Sequence, residues 1–414
     1  MLPPSTPEIE RHRSRALATY FTAVALTSIA YIATFTVASI AAPGMTGSAG
    51  SSGWPSAIAV AGTALAASLL SSVMARRGRR AGIVLGLAVA VVGGALAVLA
   101  VMAVSLILLL VSSALVGFGN AALNLSRYAA ADLYPVDRRA GALGFVVWGS
   151  TIGAVVGPNL VAPAGAIAPN LGLMPLAGGF AMAFIFLIAA LGVAAFGPRA
   201  PIQPHLDETR AVGEARTSQR GLLAELVRKP QGRTALVALV TSQLVMTLVM
   251  TMTPYHLHAE GHGLETVGLV ISAHTLGMFA FSPLSGRLTD RFGANAMILA
   301  GFSVLAVAGI LASIIPDSGV GLTIPMFLLG VGWNLGFVAG SSLLASEAPL
   351  GDRARLQGAT DALVWATAAV ASFSSGYVVA TASFAFLAAI GAGVAVVLGI
   401  VVSRDMRAVG AASA

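Results

Sequence analysis

Long stretches without a charged residue constrain this chain more than any other feature of its sequence. Only 9% of its 414 residues are charged and 57% are hydrophobic, whereas a soluble globular protein has about 25% charged residues. Such a chain cannot cover a water-facing surface, so an ordinary soluble enzyme and a disordered protein are excluded. Cysteine is absent, which excludes a disulfide framework and thiolate chemistry. No cofactor-binding motif occurs, and we expect no cofactor.

The charge-free stretches have the length of membrane-spanning helices, which need about 20 mostly apolar residues. Twelve are predicted, at 17–40, 55–75, 81–100, 104–126, 140–163, 174–196, 233–254, 265–285, 295–314, 320–344, 357–379 and 382–403. The predicted fold class is therefore all-α and polytopic, embedded in a lipid bilayer.

The basic residues fix the number and orientation of these spans. With twelve spans, all 23 Lys and Arg residues lie on the side of the N-terminus and none lies in the opposite loops. Basic residues mark the cytoplasmic side, so both termini are predicted to be cytoplasmic. The excess of Arg orients the protein, and we expect no nucleic-acid partner. Its dominance over Lys, with abundant Ala, Gly and Val, is typical of a GC-rich bacterium, which indicates a bacterial cell membrane.

One long hydrophilic stretch divides the spans into two groups of six. The predicted organisation is a cytoplasmic tail (1–16), a six-helix bundle (17–196), a cytoplasmic linker (197–232), a second six-helix bundle (233–403) and a C-terminal tail (404–414). Within the linker, residues 220–228 (RGLLAELVR) have two open interpretations: an amphipathic helix on the membrane surface or a solvated linker.

The two groups also repeat in sequence. SSVMARRGRR at 71–80 corresponds to GRLTDRFGAN at 286–295, at an offset of 215 residues. Two parallel six-helix repeats are typical of one class of membrane carriers. The loops resemble the motif G-x-x-x-D-R-x-G-R-R of the major facilitator superfamily. The second copy retains Gly286, Asp290, Arg291 and Gly293, and the first retains Arg76, Gly78, Arg79 and Arg80.

The fifth span resembles the antiporters of that superfamily. Its Gly149, Gly153, Gly157 and Pro158 reproduce the pattern G-x-x-x-G-x-x-x-G-P. Glycines at this spacing allow another helix to approach closely, and proline bends the helix. The arginine-rich loops are expected to pair with acids near helix ends, such as Asp132, and to latch the cytoplasmic side closed. The alternative is that these arginines only set the topology.

Two departures from the antiporter pattern concern the coupling ion. The first span has no acidic residue, and the fourth has Ser113 where related drug–proton antiporters have arginine. Proton antiport therefore rests on the fifth span.

Polar and aromatic residues in the middle of spans are candidates for substrate binding, because such groups usually face a cavity or the bundle interior. By resemblance to the family, spans 1, 4, 7 and 10 line the cavity, with spans 2, 5, 8 and 11 at its sides. The candidates are Tyr31, Asn120, Asn124, Trp148, Gln243, His274, Asn334 and Trp365. For each, an interhelical hydrogen bond or core packing is the alternative.

Two titratable residues are candidates for carrying a proton. His274 lies about 14 Å into its span and is the side chain that titrates nearest physiological pH. Asp361 is the acid that lies well inside a span. A structural hydrogen bond of His274 and a cap or latch at Asp361 are the alternatives.

Three histidines follow the seventh span, at His256, His258 and His262. Their spacing does not place them on one helix face, and Pro254 and Gly261 indicate a loop. A hydrated loop or lid and a metal-entry site are both open; no resident metal site is predicted.

Together these features predict a secondary active transporter that works by alternating access. The expected activity is proton-coupled efflux of a small amphipathic organic molecule, neutral or cationic because no deep Arg or Lys is available to bind an anion. Alternatives are an uptake symporter or facilitator, and a divalent-metal transporter that uses the histidine cluster. No zincin motif, nucleophile elbow or aspartate pair indicates an enzyme. The expected partners are the lipid bilayer, the substrate and protons, and the expected state is a monomer.

Overall fold

The computed structural model of the protein describes residues 7–131, 133, 139–198, 219–347 and 353–413. Two short 3₁₀ helices, Ala49–Ser51 and Ala168–Leu171, join longer helices in this part of the chain. The α-helices are α1 (Pro7–Thr46), α2 (Trp54–Arg77), α3 (Arg79–Met102), α4 (Leu106–Ala131), α5 (Arg139–Ile167), α6 (Pro175–Phe196), α7 (Gln219–Arg228), α8 (Pro230–Ala259), α9 (Leu264–Phe279), α10 (Ser282–Phe292), α11 (Ala294–Ile314), α12 (Thr323–Glu347), α13 (Arg353–Thr381) and α14 (Phe384–Ser413).

The prediction of an all-α protein with twelve spans is confirmed. Twelve helical segments are long and apolar enough to cross a membrane, and α9 and α10 together form one of them, Leu264–Phe292. Helices are required because hydrocarbon offers the backbone no other hydrogen-bonding partner. Several helices extend beyond the predicted limits; α1, for example, begins at Pro7 and not at residue 17, because the charged residues there end an apolar stretch but not a helix.

The chain divides into two compact units. The first consists of Met1–Met45 and Ile58–Ala211, and the second of Thr46–Ala57 and Val212–Ala414. The segment between the first two spans thus belongs to the second unit, where it packs on α13. The indole of Trp54 stacks on Phe373 at 6.0 Å between ring centroids. A Cβ built on Gly53 would lie 1.6 Å from the carbonyl oxygen of Ser372, so only glycine fits this contact.

Helices α1 and α8 are the most buried spans. In each, 78% of the most apolar stretch is buried, against 33–50% in the other ten spans. Of the candidate residues on these two helices, Gln243 is buried and Tyr31 is half-buried.

The repeated loop motif forms the same turn twice. Gly78, between α2 and α3, has φ 87°, and Gly293, between α10 and α11, has φ 85°. Side chains other than glycine rarely adopt this backbone conformation. The glycines of the two copies thus have the same role, which is to reverse the chain between consecutive spans.

Helix α7 packs on the second unit. Its Leu222 and Leu226 are buried in a cluster with Ala235 of α8, Leu344 of α12 and Leu356 of α13. The structure confirms an amphipathic helix over 220–228. Its buried leucines pack on protein, and its location at the membrane surface stays a prediction.

An ion pair joins the first and last spans of the second unit. Arg233, at the start of α8, donates hydrogen bonds to both carboxylate oxygens of Asp405 in α14, at 2.8 and 2.6 Å. The bidentate geometry fixes the relative position of the two helix ends.

Candidate functional site

The first unit contains a buried polar cluster at the meeting of α1, α2 and α4. Tyr31 is hydrogen-bonded to the side chain of Thr63, and Asn120 donates from Nδ2 to Thr63 Oγ1 at 3.4 Å. Thr63 itself donates to the carbonyl of Ala59 at 2.9 Å. The structure therefore brings the predicted residues Tyr31 and Asn120 together through a threonine that the sequence analysis did not select.

Asn124 lies one helical turn further along α4. Its Nδ2 donates to the backbone carbonyl of Asn120 at 3.0 Å, and its side chain is half-buried. That bond uses only the amide nitrogen, and binding of a substrate by Asn124 stays a prediction.

The second unit contains a polar and aromatic cluster around the buried side chain of Gln243. Gln243 donates from Nε2 to Thr247 Oγ1 at 3.1 Å and accepts at Oε1 from the indole N–H of Trp333 at 3.0 Å. The half-buried Trp333 ring stacks on Phe337 (4.6 Å, 16°) and meets Phe279 edge-on (6.0 Å, 71°). Trp333 was not among the predicted site residues. Its position next to Asn334 in the middle of a span is the sequence feature that could have indicated it.

The eighth span is broken, because α9 ends at Phe279 and α10 begins at Ser282. Asn334 of α12 holds this break: its Nδ2 donates to the carbonyl of Met278 at 2.6 Å and to Ser282 Oγ at 2.8 Å. Ser285 Oγ donates to Asn334 Oδ1. The predicted residue Asn334 thus uses both ends of its amide on the protein, and a role in substrate binding stays a prediction.

His274 is buried between α9 and α12. Its Nδ1 lies 2.9 Å from the carbonyl of Met326, and since a carbonyl only accepts, Nδ1 carries the hydrogen. Nε2 is then a lone-pair acceptor, and it has no hydrogen-bond partner among the described residues. A proton, or a hydrogen-bond donor of a ligand, would supply the missing partner of Nε2. Proton carriage by His274 stays a prediction.

The remaining predicted substrate and proton residues lie in the N-terminal halves of α5 and α13. Trp148 is 57% exposed and Trp365 is 37% exposed. The Trp148 ring lies 6.2 Å from that of Phe21. Asp361 is half-buried one turn before Trp365. A common substrate site that includes Trp148, Trp365 and Asp361 stays a prediction.

The glycine row of α5 packs directly on α1. A Cβ at Gly149 would lie 2.9 Å from the Phe21 carbonyl, one at Gly153 2.4 Å from Ser28 Cβ, and one at Gly157 2.7 Å from the Ile29 carbonyl. Ser28 Oγ also donates to the Ser150 carbonyl at 3.0 Å. Pro158 follows inside the helix. A close helix contact was the expected consequence of this motif, and its part in gating stays a prediction.

The loop-motif residues have more varied surroundings. Arg80 donates to the carbonyl of Ala195 at the end of α6. Asp290 and Arg291 are exposed, and the guanidinium of Arg291 lies 5.2 Å from the ring centroid of Phe292. Arg76 is exposed and Arg79 half-buried, while Gly286 has open space where a Cβ would stand. Asp132 lies outside the described residues, so the latch stays a prediction.

The loop predicted for the three histidines is wrong for two of them, because His256 and His258 lie in the last turn of α8 and only His262 follows that helix. His256 and His262 each place Nε2 near a backbone carbonyl of the loop after α11, at 2.9 Å from Pro316 and 3.0 Å from Asp317, whereas His258 is exposed. Among the described residues, the group spaced to hold a metal ion is His256, Glu260 and Asp317. Two of the histidines, His256 and His262, thus connect the end of α8 to the loop after α11, and His258 and His262 lie outside the group spaced for a metal.

Twelve spanning helices with neutral polar clusters buried inside them define a multi-pass membrane transporter. The family model for the major facilitator superfamily matches residues 20–359 and 235–411. The chain belongs to this superfamily, as its loop motifs indicated.

Relatives and solved structures agree with this assignment. The chain is 37% identical to YddS, an uncharacterized MFS-type transporter of Bacillus subtilis, over 86% of this chain and 83% of the relative. It is 31% identical to the riboflavin transporter RfnT of Brucella anthropi, over 73% of each chain. A crystal structure of a POT family transporter in complex with 5-aminolevulinic acid has a TM-score of 0.67 at 13% identity, covering 94% of this chain and 95% of that one. A peptide transporter POT mutant in complex with sulfate has a TM-score of 0.69 at 15% identity, covering 96% and 95%. These structures share the fold.

Proposed function

We propose that the protein exports a small amphipathic organic molecule, neutral or cationic, in exchange for protons, by alternating access across a bacterial cell membrane. The observation that supports the substrate class is the neutrality of the buried polar groups. Among the Lys, Arg, Asp and Glu residues that the structure describes, only Arg13, near the start of α1, is buried, with 9% of its surface exposed. Amide, hydroxyl and aromatic groups suit such a molecule, whereas a multiply charged anion needs fixed cations.

Resemblance to antiporters supports the direction and the coupling. The glycine row of α5 packs without a gap on α1, which is the close contact that the antiporter motif needs. The proposed carriers of the proton are His274 and Asp361, and the protein is proposed to work as a monomer with both termini in the cytoplasm.

Transport in proteoliposomes with an imposed pH gradient tests this function. A fluorescent cationic dye should move against the proton flow, and the two fluxes should stop together when the gradient collapses. If neither dye nor protons respond in comparison with protein-free liposomes, the antiport function is refuted. The variants His274→Gln and Asp361→Asn should each be compared with wild type, and unaltered coupling in both would exclude them as proton carriers.

Uptake is a second candidate, favoured by the 31% identity to a riboflavin transporter. Bacterial cells that cannot synthesise riboflavin distinguish the two directions. If the protein imports this compound, its expression should restore growth at low external riboflavin. If it exports, expression should lower the cellular content of the substrate, and growth should not be restored.

A further inference from the structure

We propose that Trp333 is a stacking platform for a planar, uncharged aromatic ring of the substrate. This inference rests on the transport function proposed above and names the chemical class of what is carried. It concerns a site within the second unit, built by α8, the end of α9 and α12.

The Trp333 ring is held in one orientation. Its indole N–H is bound by Gln243 Oε1 at 3.0 Å, and Gln243 is itself fixed by its bond to Thr247 at 3.1 Å. Phe337 stacks nearly parallel to the indole at 4.6 Å, and Phe279 meets it edge-on. A ring fixed in this way loses little conformational entropy when a ligand stacks on it.

The ring is nevertheless only partly covered. Trp333, Phe337 and Phe279 are all half-buried, while Gln243 behind them is buried. Gln243 belongs to α8, a span of which 78% of the most apolar stretch is buried. The three aromatic rings are therefore partly exposed next to the buried helix α8. A flat apolar molecule can cover this exposed ring surface.

The neighbouring backbone also points to a ligand. The eighth span is interrupted between Phe279 and Ser282, and Asn334, the residue after Trp333, closes the interruption. Irregular backbone within a span is tolerated where it is buried in protein or lines a cavity, and broken helices of carriers often form the substrate site. The fixed ring and the broken helix are thus adjacent.

The surrounding groups indicate the class of ligand. The partners of Trp333 are an amide and two aromatic rings, and no charged side chain takes part in the described contacts. Such a surface binds by dispersion and by ring stacking, which favours a flat ring system without net charge. A flexible aliphatic chain or a compact ion gains little from it.

Riboflavin, whose ring system is planar and fluorescent, is the probe for the test. The purified full-length protein in detergent is titrated with riboflavin, and both the affinity and the fluorescence of the bound ring are measured. An indole stacked in contact quenches that fluorescence. Wild type should bind and quench, and ribitol, which lacks the ring, should not compete.

Two substitutions of Trp333 separate stacking from folding. Trp333→Leu should weaken riboflavin binding about tenfold, as expected for loss of an aromatic pair. Trp333→Phe keeps a ring and the packing, so its affinity should stay within about threefold while the bound riboflavin becomes brighter, because benzene is a poor quencher. Phe386→Leu, which removes an exposed ring of α14, is the matched control and should behave as wild type.

The results of this binding test can be distinguished from those of the transport assay. Absence of riboflavin binding to wild type, or equal affinity and quenching in wild type and both Trp333 variants, overturns the platform. If wild type transports the dye but Trp333→Leu binds riboflavin as tightly as wild type does, the platform is refuted while the transport function stands. If wild type transports nothing, the transport function fails whatever the ring binds.

Discussion

Replacing Gly153 by alanine should separate α5 from α1. The added Cβ would lie 2.4 Å from Ser28 Cβ and 2.6 Å from the Ile29 nitrogen, whereas distances below 3.4 Å are rare for real Cβ atoms. The helices must therefore move apart by about 1 Å at this point, the difference between the two distances. One of the two close atoms is the backbone nitrogen of Ile29 and the other is the Cβ of Ser28. Rotation of a side chain moves neither atom, so it cannot relieve the contact.

The energetic cost has two parts. Overpacking costs about 1–3 kcal/mol, and stretching the 3.0 Å hydrogen bond from Ser28 to the Ser150 carbonyl costs about 1 kcal/mol more. We therefore expect Gly153→Ala to lower the free energy of unfolding by about 2–4 kcal/mol. The measurement is unfolding in mixed dodecylmaltoside and SDS micelles, followed by circular dichroism.

Two further variants decide whether this explanation is right. Gly192→Ala on α6 of the same unit has no atom within 4 Å of the new Cβ and should be neutral or slightly stabilising. Ser28→Gly combined with Gly153→Ala removes the nearest clash and should recover part of the loss, giving a coupling energy in a double-mutant cycle. If Gly153→Ala is as stable as Gly192→Ala, the close contact between α1 and α5 does not exist.

Two other predictions concern the second unit. Arg233→Ala should lower the free energy of unfolding by only about 1 kcal/mol, because the arginine side chain of the pair with Asp405 is 41% exposed and solvent screens the charge. The destabilisation should shrink in added salt. A destabilisation that salt does not change would contradict an ionic origin. Gly53→Ala should detach the segment between the first two spans from α13, since its Cβ would lie 1.6 Å from the Ser372 carbonyl. A thiol introduced as Ser51→Cys, at a position 2% exposed, should then react about tenfold faster with a polar maleimide, and unchanged reactivity would argue against the contact.

The fold could be predicted from the sequence because the basic residues occur only in alternate connections between the apolar stretches. Basic residues such as Arg76 and Arg291 are expected at span ends on one side of the membrane, and their positions determine how many helices connect them. The spacing of Gly149, Gly153 and Gly157 likewise predicted a close approach. That α1 is the helix which approaches could not be predicted, because the partner lies more than 100 residues away in the chain.

The candidate site was accessible only in part. Polar residues in mid-span are visible in a sequence, so Gln243 and Asn334 were selected, but their hydrogen-bond partners depend on tertiary contacts. The break before Ser282 interrupts a stretch that remains apolar, so hydropathy does not reveal it. Trp333 was missed because an aromatic residue in an apolar span resembles ordinary packing until its bond to Gln243 is known.

The pairing of Arg233 with Asp405 has a consequence for biosynthesis. The two residues are 172 positions apart, and the second belongs to α14, which is synthesised after the other spans of this unit. Helix α8 therefore enters the bilayer long before its N-terminal end can be fixed, and the guanidinium must stay hydrated at the interface while five spans are inserted. Completion of this unit thus has to wait for the synthesis of α14, and a nascent chain arrested before Asp405 should remain a better target for quality-control proteases than the finished protein.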